Sequence, residues 1–518
     1  MPSTFVVGAS AVLLLVYAIR AILFRPKKLG FPIVGDPSDV DFRAALLEGT
    51  AKYPTTPYIL PSNPPTVILP LSMHDELRSL PEKKVSFQRE IYRMFLGRHS
   101  SIGEDTVPIT KAVKTDLNRH VASSLESLQE ESRFALDKEL GTCKNWTQVA
   151  VHGKNLKIVA LLSGSVFVGR PLSRTQEWIN ISTQFTEDVV LARMSSEKYP
   201  AWLRSFVLPF LPEIRKVKEH KIVGAELLRP IIEERIQRSR EGEGGNKDDK
   251  SNDDQGTAVS WLMKWSSGKK KEDPFTLAQH QLGLSFAAIH TTGTALTHIL
   301  FDLAAHPQFI APLREEIDQV LAEDGAEDDG SGIRYLKNQS LPKLKKLDSL
   351  LKESQRLNPI ELVFNIRATT SPVRLPTGET LPTGTRMAFD AHTINTSVPN
   401  VSSLPHDPSS IPALDPPEVF SPFRWSTLRE IPGNESKYQY VTTGKDSVNF
   451  GHGNHSCPGR SFATIELKFL MVEILKNWDF RLVGDEEGKG GERPRNQIHT
   501  MTISPDMTAK LEFKRRVV

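Results

Sequence analysis

The stretch Phe450-Gly451-His452-Gly453-Asn454-His455-Ser456-Cys457-Pro458-Gly459-Arg460 decides how the rest of the chain is read. Its one cysteine sits among glycines, which let a backbone approach a partner closely. Behind it, Ser461 to Trp478 places Phe462, Ile465, Phe469 and Val472 on a broad apolar face, the pattern of a packed helix. Cys457 therefore stands at the entrance to a helix, where free N–H groups favour an anion and draw a thiol toward thiolate. A thiolate on such a loop suits a metal ligand or a nucleophile. An inert buried cysteine would explain neither the glycine spacing nor His455, a candidate cation two residues away.

Working outward, Thr276 to Ala305 reads as one long helix, stopped by His306-Pro307. Its centre, Phe286-Ala287-Ala288-Ile289-His290-Thr291-Thr292-Gly293-Thr294, is rich in poor helix formers. A local rule broken inside a good helix marks a place where function is expected. Lys352-Glu353-Ser354-Gln355-Arg356 puts Glu353 and Arg356 on one helical face. Further on comes Phe420-Ser421-Pro422-Phe423-Arg424-Trp425.

The loop pattern Phe-x-x-Gly-x-His-x-Cys-x-Gly, with the other two segments, resembles the cytochrome P-450 superfamily of haem-thiolate monooxygenases. The resemblance implies a mainly α fold with small β-sheets and a single large catalytic domain, 29–518. It implies haem b with the Cys457 thiolate as axial iron ligand, and with Phe450, Gly453 and Gly459 shaping the loop against it. Arg367 matches the arginine that binds a haem propionate, and His455 is the second propionate candidate. The family's Trp-x-x-x-Arg helix is matched only by Thr110 and Lys114, so Lys114 is the third. Thr291 matches the oxygen-side threonine. Ala288 replaces the usual glycine there, and His290 replaces the acid, where it could shuttle protons near neutral pH. Glu353, Arg356 and Arg424 match a buried network that locks the haem loop, since buried charges persist only when paired. Glu361 to Ile366 and Ile498 to Ile503 should border the substrate.

The chain has 518 residues, 39% hydrophobic and 25% charged, ample for a large core. Length alone would suggest about three domains; the resemblance implies one. With 65 basic and 62 acidic residues, nothing argues for nucleic acid. Cys143 and Cys457 are the only cysteines, so no disulfide framework is expected. Phe5 to Phe24 is almost wholly apolar and is followed by Arg25, Lys27 and Lys28. About 20 such residues span a bilayer, and the basic flank orients the rest toward the cytosol. The expectation is a signal anchor, 1–28, in the endoplasmic reticulum membrane. Trp202 to Pro212 is apolar and aromatic, either a buried loop or a segment dipping into the membrane. Tyr58 to Leu71 and Val373 to Phe389 read as hairpins, and Ile109 to Leu128 as a helix. Glu241 to Gly256 and Ala322 to Gly332 are charged, glycine-rich surface loops.

The resemblance further implies hydroxylation of a hydrophobic small molecule with dioxygen. Electrons would come from a separate NADPH–cytochrome P-450 reductase, since no flavin domain follows Lys514-Arg515-Arg516. The His290-Thr291-Thr292 segment and the cysteine loop look like filamentous-fungal members of the ent-kaurene-oxidase-like and related groups, which implies a terpenoid or other secondary-metabolite substrate. The alternatives are a haem-thiolate isomerase or dehydratase working without a reductase, and a non-catalytic haem-binding membrane protein. Thr291 argues for the monooxygenase.

Overall fold

The computed structural model describes residues 29–242, 256–324, 326–327, 334–397 and 414–516. The expected anchor, Phe5 to Phe24 with its basic flank, lies outside the described residues, as does most of the two charged loops. Among the described residues, no helix is long and apolar enough to cross a membrane.

The fold is mainly helical. Its principal helices are α1 (Leu125–Leu140), α2 (Val151–Phe167), α3 (Gln176–Glu197), α4 (Pro212–Gly242), α5 (Pro274–Ala305), α6 (Ile310–Asp324), α7 (Lys345–Leu357), α8 (Arg424–Arg429) and α9 (Arg460–Asn477). The axis of the molecule is α5. Asp273 caps it, its carboxylate accepting from the Thr276 N–H at 3.0 Å, and Pro274 occupies the first turn, where no N–H is needed. The helix packs against α2, α3, α4 and α7. Gly293 permits the α2 crossing: a Cβ there would come within 2.7 Å of the Leu156 side chain. Leu296, Leu300, Phe301 and Leu303 are fully buried.

Two small sheets flank this bundle. In the first, β1 (Tyr58–Leu60), β2 (Thr66–Leu69), β3 (Val85–Ser86), β5 (Val363–Thr369) and β6 (Arg386–Asp390) run in the order β1-β2-β6-β5-β3. Only β6 with β2 is parallel; Met387 stands opposite Val67 there. In the second, β4 (Thr147–Ala150), β7 (Trp478–Leu482) and β10 (Lys510–Arg515) run β7-β10-β4. Near the end, β8 (Gln497–His499) and β9 (Thr502–Ser504) make a hairpin, with Ile498 opposite Ile503.

Three local expectations shift. The helix expected over Ile109 to Leu128 is broken: a π-turn occupies Ala112–Leu117, and the chain leaves helical geometry at Ser124 before α1 begins. The hairpin after Val373 is confined to Val373–Arg374 and Thr380–Leu381, because Arg386–Asp390 is claimed by the larger sheet. Trp202 to Pro212 is largely helical, over Ala201–Val207 and Leu208–Phe210. Leu208 and Leu211 pack inward, while Phe206 and Phe210 are exposed.

Candidate active site

The cysteine loop closes on itself. The Cys457 N–H donates to the Phe450 carbonyl at 2.7 Å, the Gly451 N–H to Val448 at 2.7 Å, and the Ser456 N–H to Gly453 at 3.0 Å. Gly451 (φ +70) and Gly453 (φ +83) make the two left-handed turns this requires. Arg460, the first residue of α9, donates from its guanidinium to the Cys457 carbonyl at 2.8 Å and to Val441 at 3.2 Å. Burial pushes the Cys457 thiol up, with the Gly459 and Arg460 N–H groups and the Arg460 charge pulling the other way. This corrects the sequence expectation of a thiol drawn down by the helix entrance. Desolvation is the larger effect in the protein alone, and a metal cation on the sulfur would oppose it.

Opposite the loop, α5 opens. Ala287 and Thr291 are exposed although they lie mid-helix, with Ser285, Ile289 and Thr292 buried around them. An exposed side chain in the middle of a buried helix means that the helix borders an internal space. Thr291, Ala295, Ile360, Phe450, Ala463 and Leu467 line one cavity, so α5, the cysteine loop and α9 face each other across it. The Thr291 hydroxyl donates to the Ala287 carbonyl at 2.8 Å. Its lone pairs are left for the groove.

His290 goes elsewhere. Its Nε2 meets the Thr183 carbonyl of α3 at 2.9 Å, and burial holds its basicity below the usual imidazole range. A ring so placed ties α5 to α3. The expectation of a proton shuttle at the groove is corrected accordingly, because the side chain one position before Thr291 leaves the helix in another direction.

At the edge of the loop, three basic side chains come together. Arg367 is 1% exposed, yet its Nε and Nη2 have no hydrogen-bond partner among the described residues. Burial lowers its basicity, opposed only by Glu82. His455 feels both the Arg367 and Lys114 charges, and its own basicity is lowered first by burial and then by Arg367. Glu82, 3.8 Å from its Nε2, pulls the other way. Two orphaned guanidinium nitrogens beside Lys114 and His455 fit an anionic group seated between them, such as the propionates of a haem. Gly459 leaves room nearby; a Cβ there would reach only Val113, at 4.0 Å.

Behind the loop lies a paired charge network. Glu353 is fully buried and accepts from Arg356 (2.9 and 2.8 Å), Arg424 (3.0 Å), the Trp425 indole (3.0 Å) and the Ser421 N–H (3.2 Å). Arg356 also donates to the Asn395 carbonyl at 2.6 Å. The Asn395 side chain donates to Asn449 at 2.9 Å, next to Phe450. The network thus reaches the loop in three bonds. Asn365 holds it from the other side, donating to the His452 carbonyl at 3.3 Å from a left-handed position (φ +50) in β5.

Sequence reasoning missed several partners. Asp348, on α7 ahead of Glu353, takes Lys468 at 2.7 Å and the Tyr440 N–H at 2.8 Å. Asp302 of α5 is paired with Arg493 and accepts from Ser354 at 2.5 Å. A lone acid inside Leu300-Phe301-Asp302-Leu303-Ala304 was a legible signal for that pair. Nothing in the sequence pointed to Arg493, nearly two hundred positions away. Leu362 and Val363, expected to border the substrate, are packed in the core instead.

Comparison with known proteins places this geometry. The cytochrome P-450 family model matches residues 128–506. The chain is 42% identical over 509 residues to cytochrome P-450 monooxygenase ascG of Acremonium egyptiacum, covering 97% of this chain and 95% of that one. It is 39% identical to cytochrome P-450 monooxygenase BOA7 of Botryotinia fuckeliana, covering 96% and 91%. It is 34% identical to cytochrome P-450 monooxygenase gliF of Aspergillus fumigatus, covering 97% and 96%.

Proposed function

Because the chain belongs to the cytochrome P-450 family, whose members bind haem through a cysteine thiolate and act as monooxygenases, we propose that Cys457 is that ligand and that the groove at Thr291 is where substrate is oxidised. The observation that carries this reading is the pairing of one closed cysteine loop with an opened mid-helix groove across a shared cavity. Arg367, His455 and Lys114 would hold the propionates, and the orphaned Arg367 nitrogens support that role. Bound there, thiolate-ligated haem supplies dioxygen activation and C–H hydroxylation.

The chain's own residues orient and protect that chemistry. Phe450 and the turns at Gly451 and Gly453 fix the sulfur. Glu353, Arg356 and Arg424 hold the loop from behind, a structural task. At the groove, the Thr291 hydroxyl can accept from a water and release its own proton from the Ala287 carbonyl toward the reacting side, so Oγ1 is the atom that relays protons. The substrate is a hydrophobic intermediate of fungal secondary metabolism, terpenoid in the reading favoured here, and NADPH–cytochrome P-450 reductase supplies the electrons. The endoplasmic reticulum membrane is the proposed location, with exposed Phe206 and Phe210 supporting a membrane-facing surface.

The test is the carbon-monoxide difference spectrum of the reduced protein, wild type beside Cys457→Ser. The expected result is a strongly red-shifted Soret band that vanishes in the variant. An ordinary haem-protein band in the wild type would remove the thiolate and the mechanism with it.

A further inference from the structure

A second cavity, of about 750 Å³, lies between the N-terminal sheet region and the end of α3. Its lining is not that of a greasy channel. It carries five basic side chains, Arg93, Arg193, Lys198, Arg204 and Arg386, against two acids, Glu90 and Glu197. The acids are oversubscribed. Glu90, 1% exposed, is gripped by Arg93 at 2.7 Å and also lies 3.1 Å from the Nε of Arg386. That last contact is an ion pair without a hydrogen bond, so among the described residues the Nε of Arg386 donates none, although the residue is only 6% exposed. Arg193 touches Glu197 through Nε alone, at 3.2 Å. Its two terminal nitrogens are open.

This cavity shares no lining residue with the reaction groove, and the Ile360–Glu361 stretch is what relates the two. Ile360 lines the space shared with Thr291, and the next residue, Glu361, feels the charges of Arg386 and Arg193. Glu361 does not neutralise them. It forms no ion pair with either, its carboxylate accepts from Thr502 at 3.0 Å, and burial pushes it up to about 7. A buried guanidinium without a full partner is costly, and bidentate pairing with a carboxylate is the geometry it is built for.

We propose that the substrate is an amphiphilic acid whose carboxylate is captured by Arg386 and Arg193, which hold its apolar body across the Ile360–Glu361 link toward Thr291. This deepens the monooxygenase reading and rests on it. Arg386 and Arg193 are then binding residues that select the substrate class.

The test uses the full chain loaded with haem, at near-neutral pH and low salt. Straight-chain acids from octanoic to palmitic are titrated beside their methyl esters, and binding is read from the Soret shift. At least one acid is expected to bind about tenfold or more tighter than its ester, as charge-assisted bonds require, and added salt should narrow the gap. Arg193→Gln and Arg386→Gln should each remove most of that preference, and Arg386→Lys should keep part of it. Equal binding of acid and ester throughout the series overturns the proposal. So does a preference that survives the double glutamine variant, or binding of phosphatidylserine vesicles, in place of the Soret shift, that depends on the two arginines. Should Arg386→Gln fail to fold, Arg193→Gln, on the half-exposed helix end, decides alone. The wild-type carbon-monoxide band is recorded in parallel. Its absence would fell the monooxygenase reading, whereas its presence without acid preference fells only this one.

Discussion

The charges behind Cys457 and those in front of it obey opposite rules. Behind the loop, Glu353, Arg356, Arg424, Asp348 and Lys468 are buried and satisfied, each by partners within the protein. In front, Arg367 and Arg386 are as deeply buried, yet two nitrogens of Arg367 and the Nε of Arg386 donate no hydrogen bond among the described residues, and Arg386 shares its one acid, Glu90, with Arg93. Both sides bear the cost of taking ions out of water. The difference teaches how to divide the site. A closed network holds the fold, while an open one waits for something the chain does not supply.

That division can be broken experimentally, most violently from the paired side. Glu353→Gln should cost about 3–5 kcal/mol, because it strands two buried guanidiniums, and the variant should emerge without haem. Denaturant unfolding and the haem-to-protein absorbance ratio check this. A stable, haem-loaded variant would show the paired network to be dispensable.

The orphaned side should respond in the reverse way. Arg367→Met removes a buried charge that forms no ion pair among the described residues, so the haem-free protein should unfold no earlier than wild type, and even slightly later. Haem should nevertheless leave it several-fold faster, about 1–2 kcal/mol of lost charge-assisted bonding. Thermal unfolding of the haem-free protein, and haem transfer to an excess of apoglobin, separate the two effects. A loss of stability without any change in haem retention would move Arg367 to the structural side.

Smaller changes sharpen the boundary at α5. Thr291→Ala should leave the fold intact but lower product formed per NADPH consumed by about tenfold, the scale of a misplaced proton donor, with Thr291→Ser recovering most of it. His290→Asn should alter that ratio little and cost about 1 kcal/mol of stability through the lost bond to Thr183. Equal losses at the two positions would return His290 to the proton path.

The smallest effect is a pH dependence. Folding raises the Glu361 carboxyl to about 7 from 4.5, chiefly by burial, against the lowering influence of Thr502, Arg386 and Arg193. Between those values the folded state holds more of the proton than the unfolded state does. Stability from this group is thus fully present below pH 4.5 and is lost as pH rises through about 7. Glu361→Gln should flatten that part of the stability-versus-pH curve. An unchanged slope would mean that Glu361 titrates normally.

The sequence by itself determined much of this protein. Spacing alone placed the helix after Cys457 and the long helix through Thr291 to within a residue or two, since helical period and caps are local properties. The resemblance carried by the glycine-flanked cysteine, Glu353-x-x-Arg356 and Arg424 identified a network whose members the fold then brought within 3.0 Å. Only the tertiary structure decided where side chains point and what they find there. It turned His290 onto Thr183, folded the Cys457 loop back onto the Phe450 carbonyl, and sent Leu362 and Val363 into the core. It joined Asp302 to Arg493 and made Arg386 share Glu90 with Arg93. Each of these depends on contacts between segments far apart in the chain and on how much water the assembled fold excludes, and neither quantity is written in any local stretch of residues.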